Sequence, residues 1–183
     1  DGSYVSITAG WDHACALDAD GRVTCWGSNF WGQSNPPSFS RFTQITAGNA
    51  HTCGLTSSGT VQCWGSNQYG QRSRPSGAFA SIDAGAIHNC GVRFDGSVHC
   101  WGFSGNGRTA TPVGRTFLRV SAGGWHSCGV LSDRSAMCWG RNSEGETAVP
   151  DGSYADVQAG DEHSCGLLLD GTLSCWGRTA SPP

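Results

Sequence analysis

Residues 47–65 read AGNAHTCGLTSSGTVQCWG: His51 stands two residues before Cys53, and Cys63 follows ten residues after that, with Trp64 directly behind it. The arrangement recurs as AGWDHACALDADGRVTCWG, AGAIHNCGVRFDGSVHCWG, AGGWHSCGVLSDRSAMCWG and AGDEHSCGLLLDGTLSCWG, so the chain is five copies of one unit. The Ala-Gly pairs begin at Ala9, Ala47, Ala84, Ala122 and Ala159, a spacing of 37 or 38 residues. Periods of that size belong to solenoids and propellers, where neighbouring units bury each other's apolar faces. The 183 residues are therefore expected to form a single domain of repeats at about 1–38, 39–75, 76–113, 114–150 and 151–183.

The ten cysteines fall into five pairs, Cys15 with Cys25, Cys53 with Cys63, Cys90 with Cys100, Cys128 with Cys138 and Cys165 with Cys175. Midway between the partners lies a turn signal, Asp20-Gly21, Ser58-Gly59, Asp95-Gly96 or Asp170-Gly171, with Asp133-Arg134 the one departure. A three-residue hairpin loop with a positive-φ glycine centred there sets Leu55 opposite Val61 and Cys53 opposite Cys63. Facing residues of a non-hydrogen-bonded antiparallel pair have Cα atoms about 4.5 Å apart, against the roughly 4.4 to 6.8 Å that a disulfide accepts. Each short crosslink contributes roughly 2 to 3 kcal/mol in the chain-entropy model. The competing reading is zinc held by one histidine and two cysteines, which needs a vacant fourth position five times over and lacks the short C-x-x-C chelate spacing. Reactive thiols come singly rather than copied into every unit. Five disulfides imply an oxidising compartment, hence a secreted, extracellular protein. No metal and no cofactor are expected.

Composition narrows the class further. Glycine is abundant, lysine is absent, all eleven cations are arginine, and Met137 is the one methionine, which suits short strands and tight turns. A net charge of −3 without a basic run argues against a nucleic-acid partner. No apolar run approaches a membrane span, so no membrane insertion is expected, and DGSYVSITAG lacks the pattern of a leader, which on export would already be gone. Eight arginines lie between Arg72 and Arg141, while Glu144, Glu146, Asp151, Asp156, Asp161, Glu162 and Asp170 crowd the stretch that follows. This asymmetry is read as solvated surface.

Before each Ala-Gly stand an aromatic and then a branched residue, Tyr4 and Ile7, Phe42 and Ile45, Phe79 and Ile82, Phe117 and Val120, Tyr154 and Val157. Apolar and polar side chains alternate there and in Val61-Gln62-Cys63, the period of strands, so each unit offers at least three. Small residues at Ala47, Gly48 and Gly54 allow close backbone approach, and Trp64 points away from Cys63 toward a neighbouring sheet. Radial stacking of such sheets is an all-β propeller of five blades, each with three to four antiparallel strands and one internal disulfide. The histidines at 13, 51, 88, 126 and 163 are expected to be buried or half-buried rings holding backbone groups of the next unit. His99 is expected to be exposed.

The unit AGxxHxCxLxxxGxVxCWGxNxxGQ resembles the regulator of chromosome condensation repeat, whose members form propellers. Its short period is most like the bacterial β-lactamase-inhibitory propellers and the ectodomains of plant crinkly-type receptor kinases. The matching residues, among them His51, Leu55, Trp64, Asn67 and Gln71, are scaffold positions, so the resemblance speaks to fold rather than function. Relatives usually close with seven blades, whereas five are visible here: either the ring has five blades or the chain is part of something larger. The last unit, ending CWGRTASPP, lacks the SNxxGQ element, which is read as natural termini meeting at a seam.

Strand direction places the loops after Ala-Gly and after Trp-Gly on one face, and that face carries the variable residues. Trp11, Phe30, Trp31, Tyr69, Ile87 and Trp125 are large apolar groups where the fold does not require them, with Asp12 and Asn49 among them; such aromatics commonly anchor interfaces. Local packing over the channel mouth is the alternative. Because these residues differ between blades, one asymmetric protein partner is expected, and the resemblance to inhibitory propellers admits an enzyme that the module inhibits. The second reading is a lectin whose sites between blades stack sugars on tryptophan. An enzyme is not expected, since Asp161, Glu162 and Glu144 lack a partner base other than the scaffold His163. A monomer is expected. Full reduction should raise the intact mass by about 10 Da, one hydrogen for each of the ten cysteines; no gain, or zinc retained in the native mass, would remove the argument for an oxidising compartment.

Overall fold

The computed structural model describes residues 3–73 and 75–178. Blade one is built from β1 (Tyr4–Ala9), β2 (His13–Asp18) and β3 (Val23–Gly27), and blade two from β4 (Gln44–Ala47), β5 (His51–Leu55) and β6 (Val61–Gly65). Blade three has β7 (Phe79–Ala84), β8 (His88–Arg93) and β9 (Val98–Gly102); blade four has β10 (Phe117–Ala122), β11 (His126–Leu131) and β12 (Ala136–Gly140). Blade five has β13 (Tyr154–Ala159), β14 (His163–Leu168) and β15 (Leu173–Gly177). The chain is thus five three-stranded antiparallel sheets, each a meander in chain order, with one turn of 3-10 helix at Gly105–Gly107.

Each hairpin takes the expected register, with Leu55 opposite Val61 and Cys53 opposite Cys63. All five cysteine pairs are disulfides, one per blade, with Cα atoms 4.0 Å apart, and no free cysteine remains among the described residues. The sulfurs are crosslinks and not ligands. The turn glycines Gly21, Gly59, Gly96 and Gly171 have φ between 78° and 88°, and Arg134 keeps the same left-handed conformation at φ 71°. The backbone geometry is therefore held by the strands even where a Cβ opposes it.

The core lies between blades rather than within them. Cys15 and Leu17 of blade one pack with Phe42, Ile45 and Trp64 of blade two, and the next three junctions repeat the cluster, ending with Cys128 and Val130 against Tyr154, Val157 and Trp176. Polar locks join the same surfaces. His13 Nε2 donates to Thr52 Oγ1 at 2.8 Å, and the Thr52 hydroxyl in turn donates to the Gln33 carbonyl at 3.1 Å. That carbonyl also accepts the Trp64 indole N–H at 2.8 Å. Asn89, Ser127 and Ser164 take the place of Thr52 at the next three junctions, with the carbonyls of Gln71, Arg108 and Glu146 as the shared acceptors. The histidines therefore hold side chains, not backbone groups, of the next unit, and those side chains bond back to a carbonyl of the histidine's own unit. His99 also departs from expectation, being half-buried and stacked over Trp101 at 6.2 Å.

Nearer the axis, Ala47, Ala84, Ala122 and Ala159 donate their N–H groups to Thr8, Thr46, Asp83 and Ser121 of the preceding blade. A Cβ on Gly10, Gly48, Gly85 or Gly123 would fall on the glycine carbonyl of the next blade, so the small residues there are required by close approach. At Gly54 the reason is different, since a Cβ would meet the Phe42 ring of its own blade.

Blade five does not repeat these bonds onto blade one among the described residues. His163 is exposed, and the nearest atoms to a Cβ on Gly160 belong to its own His163. Ile7 is 68% exposed where Ile45 is 5%, and Trp26 is 47% exposed where Trp64 is 5%. The expected seam between the ends is therefore not made by the described residues, and residues 179–183 of the shortened last unit lie outside them. Ala14 stands where interior blades carry Thr52, Asn89, Ser127 and Ser164, and an alanine methyl cannot accept the His163 proton.

Burial holds the interior rings neutral: it lowers the pKa of His51 and His126 to about 4 and of His88 to about 3, from 6.5. At pH 5 the unfolded chain binds protons on these three imidazoles that the folded chain refuses, so stability is full above about pH 6.5 and falls as pH drops toward 4. Each ring contributes up to about 1.4 kcal/mol per pH unit in that window. Urea unfolding at pH 7, 6 and 5 should show the decline, with a shallower slope in His88→Asn; a midpoint constant from pH 7 to 5 would contradict it.

Candidate functional site

The face formed by the Ala-Gly and Trp-Gly loops is built by one repeated bond. Asp12 O accepts the Ser28 N–H at 2.8 Å, and Ala50 with Ser66, Ile87 with Phe103, Trp125 with Arg141 and Glu162 with Arg178 do the same. The two variable loops of every blade are thereby tied together. Neighbouring blades are linked at the rim as well, through Trp11 N to Asn49 O, Asn49 N to Ala86 O, Ala86 N to Gly123 O and Gly124 N to Gly160 O. The five Ala-Gly pairs line a central cavity of about 330 Å3 whose walls are methyls and backbone, with Trp11, Asn49 and Asp161 at its mouth.

The side chains expected on this face divide into two groups. Trp11, Asp12, Phe30, Trp31 and Asn49 come together with Ser28 and Ala50 in a cleft of about 450 Å3 between blades one and two. Trp11 and Phe30 are each 83% exposed, and Trp31 is half as exposed, set edge-on to Phe30 at 5.0 Å. The loop is fixed from below by Gln33, which is buried: its Oε1 accepts the Trp31 N–H at 2.9 Å and its Nε2 donates to Ser28 Oγ at 3.1 Å. Gln71 accepts the Tyr69 N–H in the same way at 2.8 Å, so this glutamine positions the loop above it. Asn49 is half-buried, with its backbone spent on the rim bonds.

Tyr69, Ile87 and Trp125 lie apart from that cleft. Tyr69 meets Phe103 edge-on at 5.0 Å, Ile87 is half-buried, and Trp125 covers an arginine. For Trp125 local packing, the alternative to a free anchor, describes what is found. Arg108 is completely buried, with its guanidinium 4.9 Å from the Phe103 ring centroid and 4.7 Å from that of Trp125. Its Nε donates to Gly105 O and its Nη1 to Gly124 O, both at 2.9 Å. Neither Phe103 nor Arg108 was among the residues expected here. The available signal was that Arg108 replaces the glutamine of the repeat: a side chain without an acceptor cannot hold the loop as Gln33 does, so it turns to carbonyls and rings.

On blades four and five Glu146 and Glu162, out of the carboxylates of that stretch, are held by two arginines rather than solvated singly. Arg141 Nη1 donates to Glu162 Oε1 at 3.0 Å, Arg178 Nη1 to Glu162 Oε2 at 2.5 Å, and Arg141 Nε lies 3.4 Å from the buried Glu146 Oε1. Hydrogen bonds from Arg178 and then Arg141 hold the Glu162 carboxyl below its ordinary pKa. An acid fixed as its anion between two guanidiniums is an ion pair in role, not a proton donor. Phe39 and Val113 on connecting segments and Phe94 at an opposite turn are also exposed. No helix of the described residues is long and apolar enough to cross a membrane.

A family model described as the regulator of chromosome condensation (RCC1) repeat matches residues 4–33, 42–71, 79–108, 117–146 and 154–180. Among solved structures the chain is similar to the entire ectodomain of the receptor kinase CR4 from Physcomitrella patens, at 30% identity and a TM-score of 0.86, over 100% of this chain and 54% of that one. The ectodomain of the Arabidopsis thaliana receptor kinase ACR4 is 28% identical with a TM-score of 0.82, over 98% of this chain and 67% of that one. Yeast RCC1 (Prp20), solved bound to Kap60, shares the fold at 20% identity and a TM-score of 0.83, over 95% of this chain and 56% of that one. The chain thus spans about half the length of the CR4 ectodomain. A comparison with curated proteins finds no match.

Exchange of Arg108 for glutamine removes the stacked guanidinium and leaves Gly124 O without its donor. Arg108→Gln should lower the unfolding free energy by about 1 to 3 kcal/mol and shift tryptophan emission to the red as Trp125 is released. Unchanged emission and stability would show that the stack contributes nothing.

Proposed function

Since the chain belongs to the regulator of chromosome condensation repeat family, whose motif residues here serve as scaffold, we propose that it is a secreted, non-catalytic recognition module gripping a protein partner by its loop face. The observation that carries this reading is the contrast among aromatics. Trp64, Trp101, Trp139 and Trp176 are buried at blade junctions, whereas Trp11 and Phe30 are each 83% exposed on loops that the scaffold fixes from below. Rigid, solvated aromatics of low conformational entropy are what interface anchors require. The five disulfides and the likeness to receptor ectodomains support an extracellular setting. The differing rim residues of the five blades favour one asymmetric partner over five equal small-ligand sites. An enzyme inhibited by this contact is the finer form of the proposal, and the monomer is its expected state.

The test compares the domain with a Trp11→Ala, Phe30→Ala double variant, each immobilised and exposed to the extracellular fluid of the source organism. A protein retained by the parent should be depleted at least roughly tenfold on the variant and should bind the parent directly in calorimetry, since anchors of this type each account for a factor of about ten or more. Retention that ignores both substitutions but is lost to a competing monosaccharide would instead support the lectin, as would specific binding on a glycan array.

A further inference from the structure

The cleft between blades one and two combines three aromatic rings with one carboxylate and no cation. Asp12 is the only ionised residue among those lining it, and its side chain is half exposed. Its nearest polar neighbours are Gln33 Nε2 at 3.5 Å and His13 Nδ1 at 3.9 Å. The first is a long contact. The second offers a lone pair and no proton, because Thr52 donates its hydroxyl to Gln33 O and so requires the proton of His13 to sit on Nε2. The carboxylate is therefore not neutralised by any described residue.

The same face already shows what its aromatics hold when a cation is available. At the junction of blades three and four, the Arg108 guanidinium sits within 5 Å of both the Phe103 and Trp125 rings, with the Arg141 guanidinium 5.9 Å from Trp125 on that blade. In blade one the corresponding position is Gln33, which stays below the loop and contributes no charge to the cleft. Blade one has one arginine, Arg22, and it is engaged with Asp20 at the opposite turn. Rings that attract a cation by their quadrupole, together with an anion that can accept two parallel N–H donors, match a planar guanidinium better than a neutral or anionic group.

We propose that this cleft captures an arginine side chain of the partner, the guanidinium lying against Trp11, Phe30 and Trp31 and bonding Asp12. The proposal rests on the reading of this face as a protein-recognition surface and names the chemistry recognised there. The volume, about 450 Å3, accommodates one such side chain with room for the flanking peptide.

The experiment titrates the intact domain with acetyl-Gly-Arg-Gly-amide, following the indole N–H signals by NMR, with the citrulline peptide as the neutral isostere and the lysine peptide as the compact cation. Saturable shifts of Trp11 and Trp31 with the arginine peptide are expected in the millimolar range, roughly fivefold weaker with citrulline and with Asp12→Asn, and weaker again in 0.5 M salt. Trp176, buried at the junction of blades four and five, should not respond. Absence of shifts, or an equal response to citrulline, would overturn the inference, and an equal response to lysine would overturn the guanidinium assignment. Comparison with the capture experiment separates the two readings. A partner lost with Trp11→Ala yet indifferent to Asp12→Asn and to the arginine peptide defeats only the cation site; no retained protein defeats the recognition surface, whatever the peptide does.

Discussion

One main-chain carbonyl per junction, that of Gln33, Gln71, Arg108 or Glu146, accepts two donors from the blade that follows. It receives the indole N–H of a tryptophan and the hydroxyl or amide of the residue beside the inner cysteine. This constraint fixes the protonation of the histidines. Since Thr52, Ser127 and Ser164 donate to the carbonyl, they must accept from the histidine, which places its proton on Nε2 and leaves Nδ1 bare. A second proton would put a charge in a site with no counter-ion in hydrogen-bonding reach, which is why burial depresses these rings so far. The disulfide follows from the same geometry: a narrow ribbon whose outer face must meet this lock cannot spread, and the crosslink holds it at one width.

Because the core consists of four junctions and no blade has a core of its own, stability is a sum over neighbours, and the two ends behave differently from the middle. Blade one keeps the side that should receive a preceding carbonyl exposed at Trp26, Tyr4 and Ile7; blade five keeps the opposite side exposed at His163, Leu167 and Leu173. Among the described residues the histidine lock is not repeated between them, since Ala14 cannot accept from His163. Cys165 is correspondingly half-buried, whereas Cys15, Cys53, Cys90 and Cys128 are fully enclosed.

Legibility in the sequence followed the reach of each interaction. The five disulfides, the hairpin register and the three-strand blades were readable because each depends on residues within about twenty positions of one another, repeated five times. The locks were half-readable: the histidine is visible in every unit, but its acceptor lies 38 or 39 residues ahead and changes among Thr52, Asn89, Ser127 and Ser164, so no single letter marks it. Ala14 was the one legible sign that the histidine lock is not repeated from blade five to blade one, and it is informative only once the acceptor is known. On the loop face, sequence reasoning grouped these aromatics on one face and treated them as equivalent. It could not separate Trp11, which stands free, from Trp125, which is spent on Arg108, because that difference arises from a residue on the adjacent blade.

That difference has a physical source in one substitution. The repeat places glutamine beneath each loop, and its side-chain oxygen is what keeps the loop's N–H satisfied while the aromatics above point outward. Where arginine takes its place, the side chain has five donors and no acceptor, so it seeks carbonyls and ring faces, and draws Phe103 and Trp125 down onto itself. Where glutamate takes its place, at Glu146, the carboxylate accepts the Glu144 N–H at 2.8 Å and recruits Arg141, closing that part of the face with ion pairs. Only above Gln33 and Gln71 is the loop held by a neutral group that asks for nothing further. The most exposed aromatics of this face, Trp11 and Phe30, therefore stand on blade one, and Asp12 beside them gives that part of the face its sign.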